Sequence, residues 1–228
     1  MNYHHGNLRR ELLDRAAVVI TEQGVEALSL RALAQELGVS HAAPARHFRD
    51  KADLLRVLAK EGFQKITEYV LAAADAAGPD PLERGVALGR AFVRFSQQYP
   101  AYYKISIHPE VMAQADDELK EFHRARTEVL FDVARKAQAA GWLKGEDIET
   151  AVAFSFAAVR GLAAVLSDKL FMRGMGAIDR DALIERAIRL IIDPSNPQTA
   201  RNVTSNARKS APGKVPDKGP AKRRRKSA

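Results

Sequence analysis

Apolar residues recur at intervals of three and four, rather than two, through the first 193 positions of this 228-residue chain. Such spacing places apolar side chains on one face of a helix, whereas a half-buried strand alternates at every second position. Ala, Leu, Glu, Arg and Gln dominate the same stretch, and no strand-length run alternates Val, Ile or Thr. The sequence therefore predicts an all-α fold.

Capping residues, glycines and prolines divide this stretch into about nine helices. The expected helices run from Asn7 to Gly24, from Ser29 to Gly38, from Ser40 to just before Phe48, from Asp50 to about Ala77, and near 81–98, 100–112, 115–140, 147–173 and 179–192. The break Gly78-Pro79-Asp80-Pro81 is expected to separate a small N-terminal domain, residues 5–65, from a larger C-terminal domain, residues 80–193.

The formal net charge of +8 comes almost entirely from the last 35 residues. Residues 194–228 contain ten Lys or Arg and one Asp, a net +9, which leaves a net −1 for residues 1–193. The same segment has almost no large apolar residue, so we expect a disordered basic tail. Because the rest of the chain is not basic, a nucleic-acid partner has to be argued from a local site.

Several classes of protein are disfavoured by what the sequence lacks. The chain has no cysteine, which excludes disulfides, zinc–thiolate sites, iron–sulfur clusters and a cysteine nucleophile. The longest apolar stretch, residues 151–166, contains Arg160 and is shorter than the roughly 20 residues that a bilayer requires. The N-terminal run at residues 16–20 is too short for a signal peptide. We therefore expect a cytoplasmic protein without membrane contact.

The motifs of common enzyme classes are also missing. The sequence has no Gly-rich phosphate loop, no His-Glu-x-x-His and no Gly-x-Ser-x-Gly. An acidic group invites a metal site: Asp116, Asp117, Glu118 and Glu121. However, His123 has no carboxylate three or four positions away, so a solvated helix face is the better interpretation. We expect no catalysis, no metal and no cofactor.

The most informative segment lies between Leu28 and His47, where two short predicted helices are joined by Gly38-Val39. Gly38 can adopt the left-handed conformation that turns the second helix steeply across the first. This spacing is typical of a helix-turn-helix motif, whose second helix enters the major groove of DNA. Two short helices around a glycine also occur in ordinary helical bundles, so the spacing alone leaves both interpretations open.

The candidate DNA contacts follow from the chemistry of this segment. They are Ser29, Ser40, His41, Ala42, Ala43, Ala45, Arg46, His47 and Lys51. The short alanine side chains permit close approach to a groove and offer methyl groups to thymine, while His41 and Arg46 can bond to base edges. Phosphate contacts are expected from Ser29, His47 and Lys51, the last at a helix N-terminus whose dipole favours an anion.

Four short motifs in the first 65 residues carry a family resemblance. They are Glu22-Gln23-Gly24, Ser29-Leu30-Arg31-Ala32-Leu33-Ala34, Leu37-Gly38-Val39-Ser40 and, above all, His47-Phe48-Arg49-Asp50-Lys51-Ala52-Asp53-Leu54-Leu55. Together they resemble the DNA-binding domain of the tetracycline-repressor (TetR) family. That family usually has an aromatic residue, most often Tyr, two positions before the His-Phe pair, where this chain has Ala45.

The opening segment Tyr3-His4-His5-Gly6-Asn7-Leu8-Arg9 also resembles one branch of the TetR family. The C-terminal domain of that branch often carries a His-Gly pair, and Arg160-Gly161 stands at the corresponding place here. The resemblance implies a homodimer that binds a near-palindromic operator on double-stranded DNA. It further implies release of the DNA when a small-molecule effector binds the C-terminal domain, with repression as the expected outcome.

Two apolar stripes near the end of the helical stretch are candidates for the subunit contact. The first comprises Ala151, Phe154, Ala158, Leu162, Val165 and Leu166, and the second comprises Leu183, Ala187, Ile188 and Ile191. Two such helix pairs would form a four-helix interface between subunits. The alternative is that both stripes face the core of their own subunit.

Aromatic and methionine residues concentrate between Phe92 and Trp142, with one more candidate beyond. The candidate effector pocket comprises Phe92, Phe95, Tyr99, Tyr102, Tyr103, Met112, Phe122, His123, Phe131 and Phe156. Tyrosine hydroxyls need partners when buried, which favours polar contacts to an apolar or aromatic ligand. An ordinary core is the alternative.

A rival interpretation of the whole chain is a helical interaction protein without sequence-specific DNA binding. Its nucleic-acid contact would be limited to the basic run Lys222-Arg223-Arg224-Arg225-Lys226 in the tail. Such a run binds phosphates without sequence preference, and its affinity falls steeply with salt. The two interpretations differ in whether DNA of a particular sequence is preferred.

Overall fold

Ten α-helices, and no β-strand, form the part of the chain that the computed structural model describes, residues 7–193. They are α1 (Leu8–Gln23), α2 (Leu30–Glu36), α3 (Lys51–Ala76), α4 (Pro81–Gln98), α5 (Pro100–Ser106), α6 (Pro109–Ala113), α7 (Asp117–Ala139), α8 (Ile148–Ser167), α9 (Lys169–Gly174) and α10 (Arg180–Ile192). The all-α class is thereby confirmed. The predicted tail disorder and most of the opening Tyr3 to Arg9 motif lie outside the described residues.

Aspartate side chains begin six of the ten helices. These are Asp50, Asp80, Asp116, Asp147, Asp168 and Asp179. Each carboxylate accepts hydrogen bonds from backbone N–H groups of the first turn, which have no partner within the helix, and each such cap contributes about 1 kcal/mol. Ser29 caps α2 in the same way. Because these caps are visible in the sequence, most helix starts agree with expectation.

Two of the expected helices are each divided in two. The expected helix at 100–112 is α5 followed by α6, because Pro109 has no N–H with which to continue the hydrogen-bond ladder. The expected helix at 147–173 is α8 followed by α9. The carboxylate of Asp168 accepts from the backbone N–H groups of Leu170 and Phe171, at 2.9 and 3.0 Å, and so starts a new helix.

Helix α8 is longer than the apolar stretch noted in the sequence. It has 20 residues with a mean hydropathy of 1.6, which by length and composition alone is enough to cross a membrane. Its inner side packs against α4, α7 and α10, and most of its other positions are exposed or half-buried. The apolar residues on the exposed side of α8 are therefore a candidate contact surface.

Two hydrophobic clusters form the interior, and α3 contributes to both. Leu54, Leu58 and Phe63 lie in the first cluster with residues of α1 and α2, while Ile66 and Val70 lie in the second with α4, α7, α8 and α10. Side chains of α5, α6 and the start of α7 also enter the first cluster, although the sequence assigned those segments to the C-terminal domain. The N-terminal helices are thus packed directly on α5 and α6.

The contact between α4 and α10 depends on the lack of a side chain at Gly89. A Cβ atom there would lie 3.0 Å from Cγ2 and 3.3 Å from Cδ1 of Ile188, whose side chain is fully buried. Gly89→Leu is therefore expected to lower the free energy of unfolding by about 1–3 kcal/mol through overpacking. Urea denaturation measures the change. Gly174→Leu is the matched control because open space surrounds Gly174, and equal stability of the two variants would contradict the proposed close contact.

Candidate nucleic-acid interface and internal cavity

The turn after α2 has the geometry that the sequence predicts. Gly38 has a φ of +68°, in the left-handed region that favours glycine. The backbone N–H of Val39 donates to the carbonyl of Ala34 at 2.9 Å, and that of Gly38 donates to Gln35 at 3.1 Å. These two bonds end α2 and redirect the chain, while Leu33 and Ala34 are buried beneath it.

The segment after this turn, residues 40–47, is not the α-helix that we expected. Its backbone bonds join residues three apart, from Ala43 to Ser40 at 2.9 Å and from His47 to Pro44 at 2.9 Å, and only Pro44–Arg46 forms a turn of 3-10 helix. Pro44 has no N–H and so cannot make the α-helical bond to the carbonyl of Ser40, although the backbone of Ala43 before it stays helical. We call residues 40–47 the reading segment.

The reading segment presents its side chains to the surface. Ser40, His41, Ala42, Ala45, Arg46 and His47 are exposed, Ala43 is half-buried, and Ser29 at the start of α2 is also exposed. Pro44 is buried and anchors the segment. Within residues 7–193, no hydrogen bond or ion pair involves the side chains of His41, Arg46 and His47. The polar groups predicted to contact DNA are therefore available to a partner molecule.

Lys51 was expected to contact a phosphate at an open helix N-terminus, but its surroundings in the structure differ. It is half-buried, and its Nζ donates to the backbone carbonyl of Glu26 at 3.0 Å. Two carboxylates already occupy the start of α3, since Asp50 accepts from the N–H of Asp53 at 2.7 Å and Asp53 accepts from the N–H of Arg49 at 3.0 Å. The latter bond lowers the pKa of Asp53 below its ordinary value. A phosphate would thus meet the remaining Lys51 donors rather than an open helix dipole.

Sequence reasoning overlooked two basic residues beside the reading segment. Arg31 on α2 is exposed, and the Arg49 side chain, just beyond the segment, is 80 % exposed with only a long 3.6 Å contact to Asp53. Both stand within the motifs that carry the family resemblance. A count of all Lys and Arg residues near the turn would have included them as candidate phosphate contacts.

A cavity of about 90 Å³, partly open to the surface, lies among α3, α4, α7, α8 and α10. Its walls comprise Ile66, Thr67, Val70, Gly85, Leu88, Gly89, Phe92, Arg126, Leu130, Val133, Ala134, Ala137, Trp142, Val152, Ser155, Phe156, Val159 and Ile192. Almost all of these residues are apolar. The polar side chains are those of Thr67, Arg126 and Ser155, apart from the indole N–H of Trp142, which donates to the carbonyl of Ile191 at 3.0 Å.

Of the ten residues predicted for an effector pocket, the structure brings Phe92 and Phe156 to this cavity and places the other eight elsewhere. Tyr103 packs its edge on Phe92, with the ring centroids 5.9 Å apart, but does not line the cavity. Phe95 and Tyr99 lie against each other, at 5.0 Å between centroids. These rings form core around the cavity, which was the alternative interpretation.

The remaining predicted pocket residues have separate surroundings. The Tyr102 hydroxyl donates to Oε2 of Glu61 at 3.2 Å, and burial raises the pKa of this tyrosine. His123 packs on Phe63 at 5.8 Å between centroids, and burial lowers its pKa. The last three lie apart from the cavity: Met112 packs against the first cluster, Phe122 is exposed, and Phe131 lies under Arg135. The Tyr102 hydroxyl was a poor guide to a ligand, because Glu61 already accepts its hydrogen bond.

Two important cavity residues were absent from the prediction, Arg126 and Trp142. Arg126 falls in one stripe of α7 with Leu130, Val133 and Ala137, at spacings of four, three and four. A charged residue within an apolar helical stripe is unusual, so this pattern was the available signal. Trp142 follows the glycine turn after α7 and is buried.

The two predicted interface stripes are partly internal. Ala151, Leu166 and Ile188 are buried in the subunit's own core, which corrects their assignment to a surface. Phe154 and Val165 are exposed, and the others are half-buried: Ala158, Leu162, Leu183, Ala187 and Ile191. The exposed side of α8 carries the small residues Ala157, Gly161 and Ala164. Because α8 is apolar all round, periodicity could not distinguish its inner and outer sides.

Helix α2, the Gly38 turn and the exposed reading segment have the arrangement of a helix-turn-helix DNA-binding motif. Residues 12–67 match the family model of bacterial regulatory proteins of the tetR family, and residues 86–191 match the model of the tetracyclin repressor-like C-terminal domain. The chain belongs to the TetR family of DNA-binding transcriptional regulators. Membership of the branch whose C-terminal domain often carries a His-Gly pair stays a prediction.

Solved structures agree with this assignment. A protein of unknown function from Rhodococcus sp. RHA1 is 32 % identical, with a TM-score of 0.70 over 85 % of this chain and 98 % of that chain. A putative tetR family regulator from Shewanella sp. PV-4 is 20 % identical, with a TM-score of 0.61 over 82 % and 96 %. The TetR family regulator PfmR from Thermus thermophilus is 22 % identical, with a TM-score of 0.57 over 79 % and 96 %. No curated protein matches the chain.

Proposed function

We propose that this chain is an effector-responsive, sequence-specific repressor that acts as a cytoplasmic homodimer on a near-palindromic operator. The observation that carries the proposal is the reading segment, whose polar side chains are exposed and have no partner within residues 7–193. Side chains held free next to a helix-turn-helix turn are suited to base edges and phosphates. No step in this function requires catalysis.

Exposed apolar side chains support the homodimer. Residues 7–193 contain eight large apolar side chains that are notably exposed, and six of them lie between the middle of α8 and the end of α10. These six are Phe154, Val165, Leu170, Phe171, Met175 and Leu190. A concentrated apolar surface of this kind indicates a protein contact, and the exposed Gly161 permits close helix approach. A two-fold pairing of α8 and α10 would cover it with a four-helix interface.

Helix α3 supports coupling between the cavity and the DNA-binding head, by which we mean α1, α2 and the reading segment; α4 to α10 form the body. The α3 residues Ile66, Thr67 and Val70 line the cavity, whereas Lys51 at its start lies beside the reading segment, about 22 Å away along the helix. The body also holds the head directly, because Nζ of Lys104 on α5 donates to the carbonyls of Ile20 and Thr21 at 3.2 and 2.8 Å.

This arrangement suggests how an effector would release DNA. A ligand that enlarges the cavity displaces α3, and with it the head of each subunit. Two heads must sit about one helical turn of DNA, roughly 34 Å, or a multiple apart to bind both half-sites. An effector that binds better to a dimer with another head separation therefore lowers DNA affinity.

Selection of genomic fragments tests the proposal. Random fragments of the host genome are bound to the purified full-length protein, recovered and sequenced. We expect enrichment of one near-palindromic sequence with two half-sites, with a copy beside the protein's own gene. Recovery of fragments without sequence preference would contradict the proposal and favour the rival interaction protein, which binds nucleic acid only through its tail.

Deletion of residues 196–228 separates the contribution of the basic tail, which lies outside the described residues. The deletion removes ten Lys or Arg, so non-specific affinity and the salt dependence of binding are expected to fall, because fewer counterions are released. Affinity for the selected site relative to random DNA should rise or stay constant. Filter binding between 50 and 200 mM salt gives both quantities, and loss of site preference would refute this division of roles.

A further inference from the structure

Arg126 of α7 is a cation in the wall of an otherwise apolar cavity. Its Nε atom is buried and has no hydrogen-bond partner. The guanidinium lies over the ring of Phe63, 4.9 Å from the centroid. Neither a hydrogen bond nor an ion pair involves this side chain within the described range 7–193. The side chain is therefore held by packing and by the cation–π contact with Phe63.

The electrostatic surroundings of Arg126 are unfavourable to its charge. The pKa of Arg126 is lowered to about 10, mainly by burial and to a smaller extent by the nearby positive charge of Arg160. The group remains a cation at neutral pH. Arg160 lies over the ring of Phe156 at 5.3 Å and also has no ion pair among residues 7–193. Arg126 is half-buried, and a cation taken partly out of water without an anion is unfavourable, so this end of the cavity favours a negative charge.

The other polar groups of the cavity cannot supply that charge. The Thr67 hydroxyl donates to the carbonyl of Phe63 at 2.7 Å, and the Ser155 hydroxyl donates to that of Val152 at 3.0 Å. Both are neutral, and both direct their hydrogen into their own helix. Aromatic and aliphatic side chains form the rest of the wall, including Phe92 and Trp142. A bound molecule with an apolar body and one anionic group would supply this charge.

We propose that the cavity binds a small monocarboxylic acid, aromatic or short aliphatic, whose carboxylate pairs with Arg126 and whose body packs against Phe92, Trp142 and Phe156. Arginine suits a carboxylate because its fork of donors matches the two oxygens. A single cation in the wall matches a single negative charge. That this acid is also the effector rests on the function proposed above, but the binding site itself does not.

Fluorescence of Trp142 reports directly on this site, since Trp142 lines the cavity and is the only tryptophan of the chain. The full-length protein is titrated with phenylacetate and hexanoate, and with their neutral counterparts phenylacetamide and hexanamide. We expect each acid to bind at least about tenfold more tightly than its amide, because a hydrogen bond to a charged group is stronger than a neutral one. Equal affinities, or no response to any of the four compounds, would overturn the proposal.

Arg126→Met is the variant that tests the residue. It should abolish the preference for acids over amides while the melting temperature stays constant or rises, because a half-buried charge without an ion pair is replaced by an apolar side chain of similar length. Arg135→Met on the exposed side of α7 is the matched control and should keep the preference. Retention of the acid preference in Arg126→Met would overturn the assignment. The wild-type comparison of acids and amides stands even if the variant fails to fold.

DNA binding measured in the same samples separates this inference from the proposed function. Site-specific DNA binding together with equal affinity for acids and amides would overturn the inference alone. A clear acid preference in a protein that binds DNA without sequence preference would contradict the proposed function and support the inference. The inference and the proposed function are both supported if the acids, but not the amides, release the selected DNA site from the wild-type protein.

Discussion

Replacing Arg46 and His47 together by alanine is expected to reduce affinity for the preferred DNA site by about 30-fold or more, since each polar contact to a base or phosphate contributes about 1–3 kcal/mol. Both side chains are exposed and make no hydrogen bond or ion pair within residues 7–193. Their removal should therefore leave the melting temperature unchanged. Fluorescence anisotropy with a labelled site, beside a thermal melt, gives both results.

Arg135→Ala is the control for this pair, because it removes the same single positive charge from the exposed side of α7. It should change binding little, and only through long-range electrostatics. If the double variant bound the site as tightly as the wild type, the reading segment would not be the DNA contact. An equal loss in the control would point to general charge rather than to position.

The second large effect is expected at the outer side of α8. Phe154 is 52 % exposed, so Phe154→Glu places a carboxylate within the proposed subunit contact without disturbing the core of the subunit. In a two-fold interface each substitution acts twice, and an unpaired buried charge opposes association strongly. We expect a monomer in sedimentation velocity and an affinity for the full operator lower by about 10²–10⁴-fold, because the two heads are no longer linked.

Phe122→Glu is the matched control, since Phe122 is 37 % exposed on α7, away from the α8 to α10 surface. This variant should stay dimeric and bind the operator. A dimeric Phe154→Glu protein would show that the exposed side of α8 is not the subunit contact. Dissociation of both variants would indicate that any added charge, rather than this position, weakens the assembly.

The helices themselves were largely predictable, because their boundaries depend on local chemistry. Asp50 and Asp179 are caps that act on backbone groups two or three residues away, and Gly38 supplies a conformation that few other residues adopt. The break at Asp168 was missed because it is a short polar interruption, Ser167-Asp168-Lys169, after which Leu170, Phe171 and Met172 resume the apolar pattern. A capping residue in so short an interruption can also be interpreted as an exposed position of one continuous helix.

The reading segment was predicted as an α-helix because Pro44 was placed near its first turn, where proline is tolerated. Pro44 is compatible with an α-helix only in the first turn, where its missing N–H has no partner to lose. The chain instead keeps bonds three residues apart, from Ala43 to Ser40 and from Arg46 to Ala43, and never forms the longer helix. The side chains were nevertheless correctly expected at the surface.

The cavity could not be located from composition, because it depends on which helices meet. Phe92 and Phe156 line the cavity from α4 and α8. Phe95, three residues after Phe92 on the same helix, is buried in the core and does not line the cavity. The same limit applies to α8, where Ala151 faces inward and Phe154 faces outward within one apolar helix. Only the positions of neighbouring helices decide such cases.

A single cysteine at the reading segment provides the most direct test of the central claim that this segment lies against DNA bases. The chain has no cysteine, so Ala42→Cys can be labelled uniquely with an iron chelate that cleaves nearby DNA, with Lys144→Cys as the distant control. The account predicts two symmetric cleavage clusters, about one helical turn (roughly 34 Å) or a multiple apart, one in each half-site. Cleavage by the control alone, or no site-directed cleavage from position 42, would contradict it.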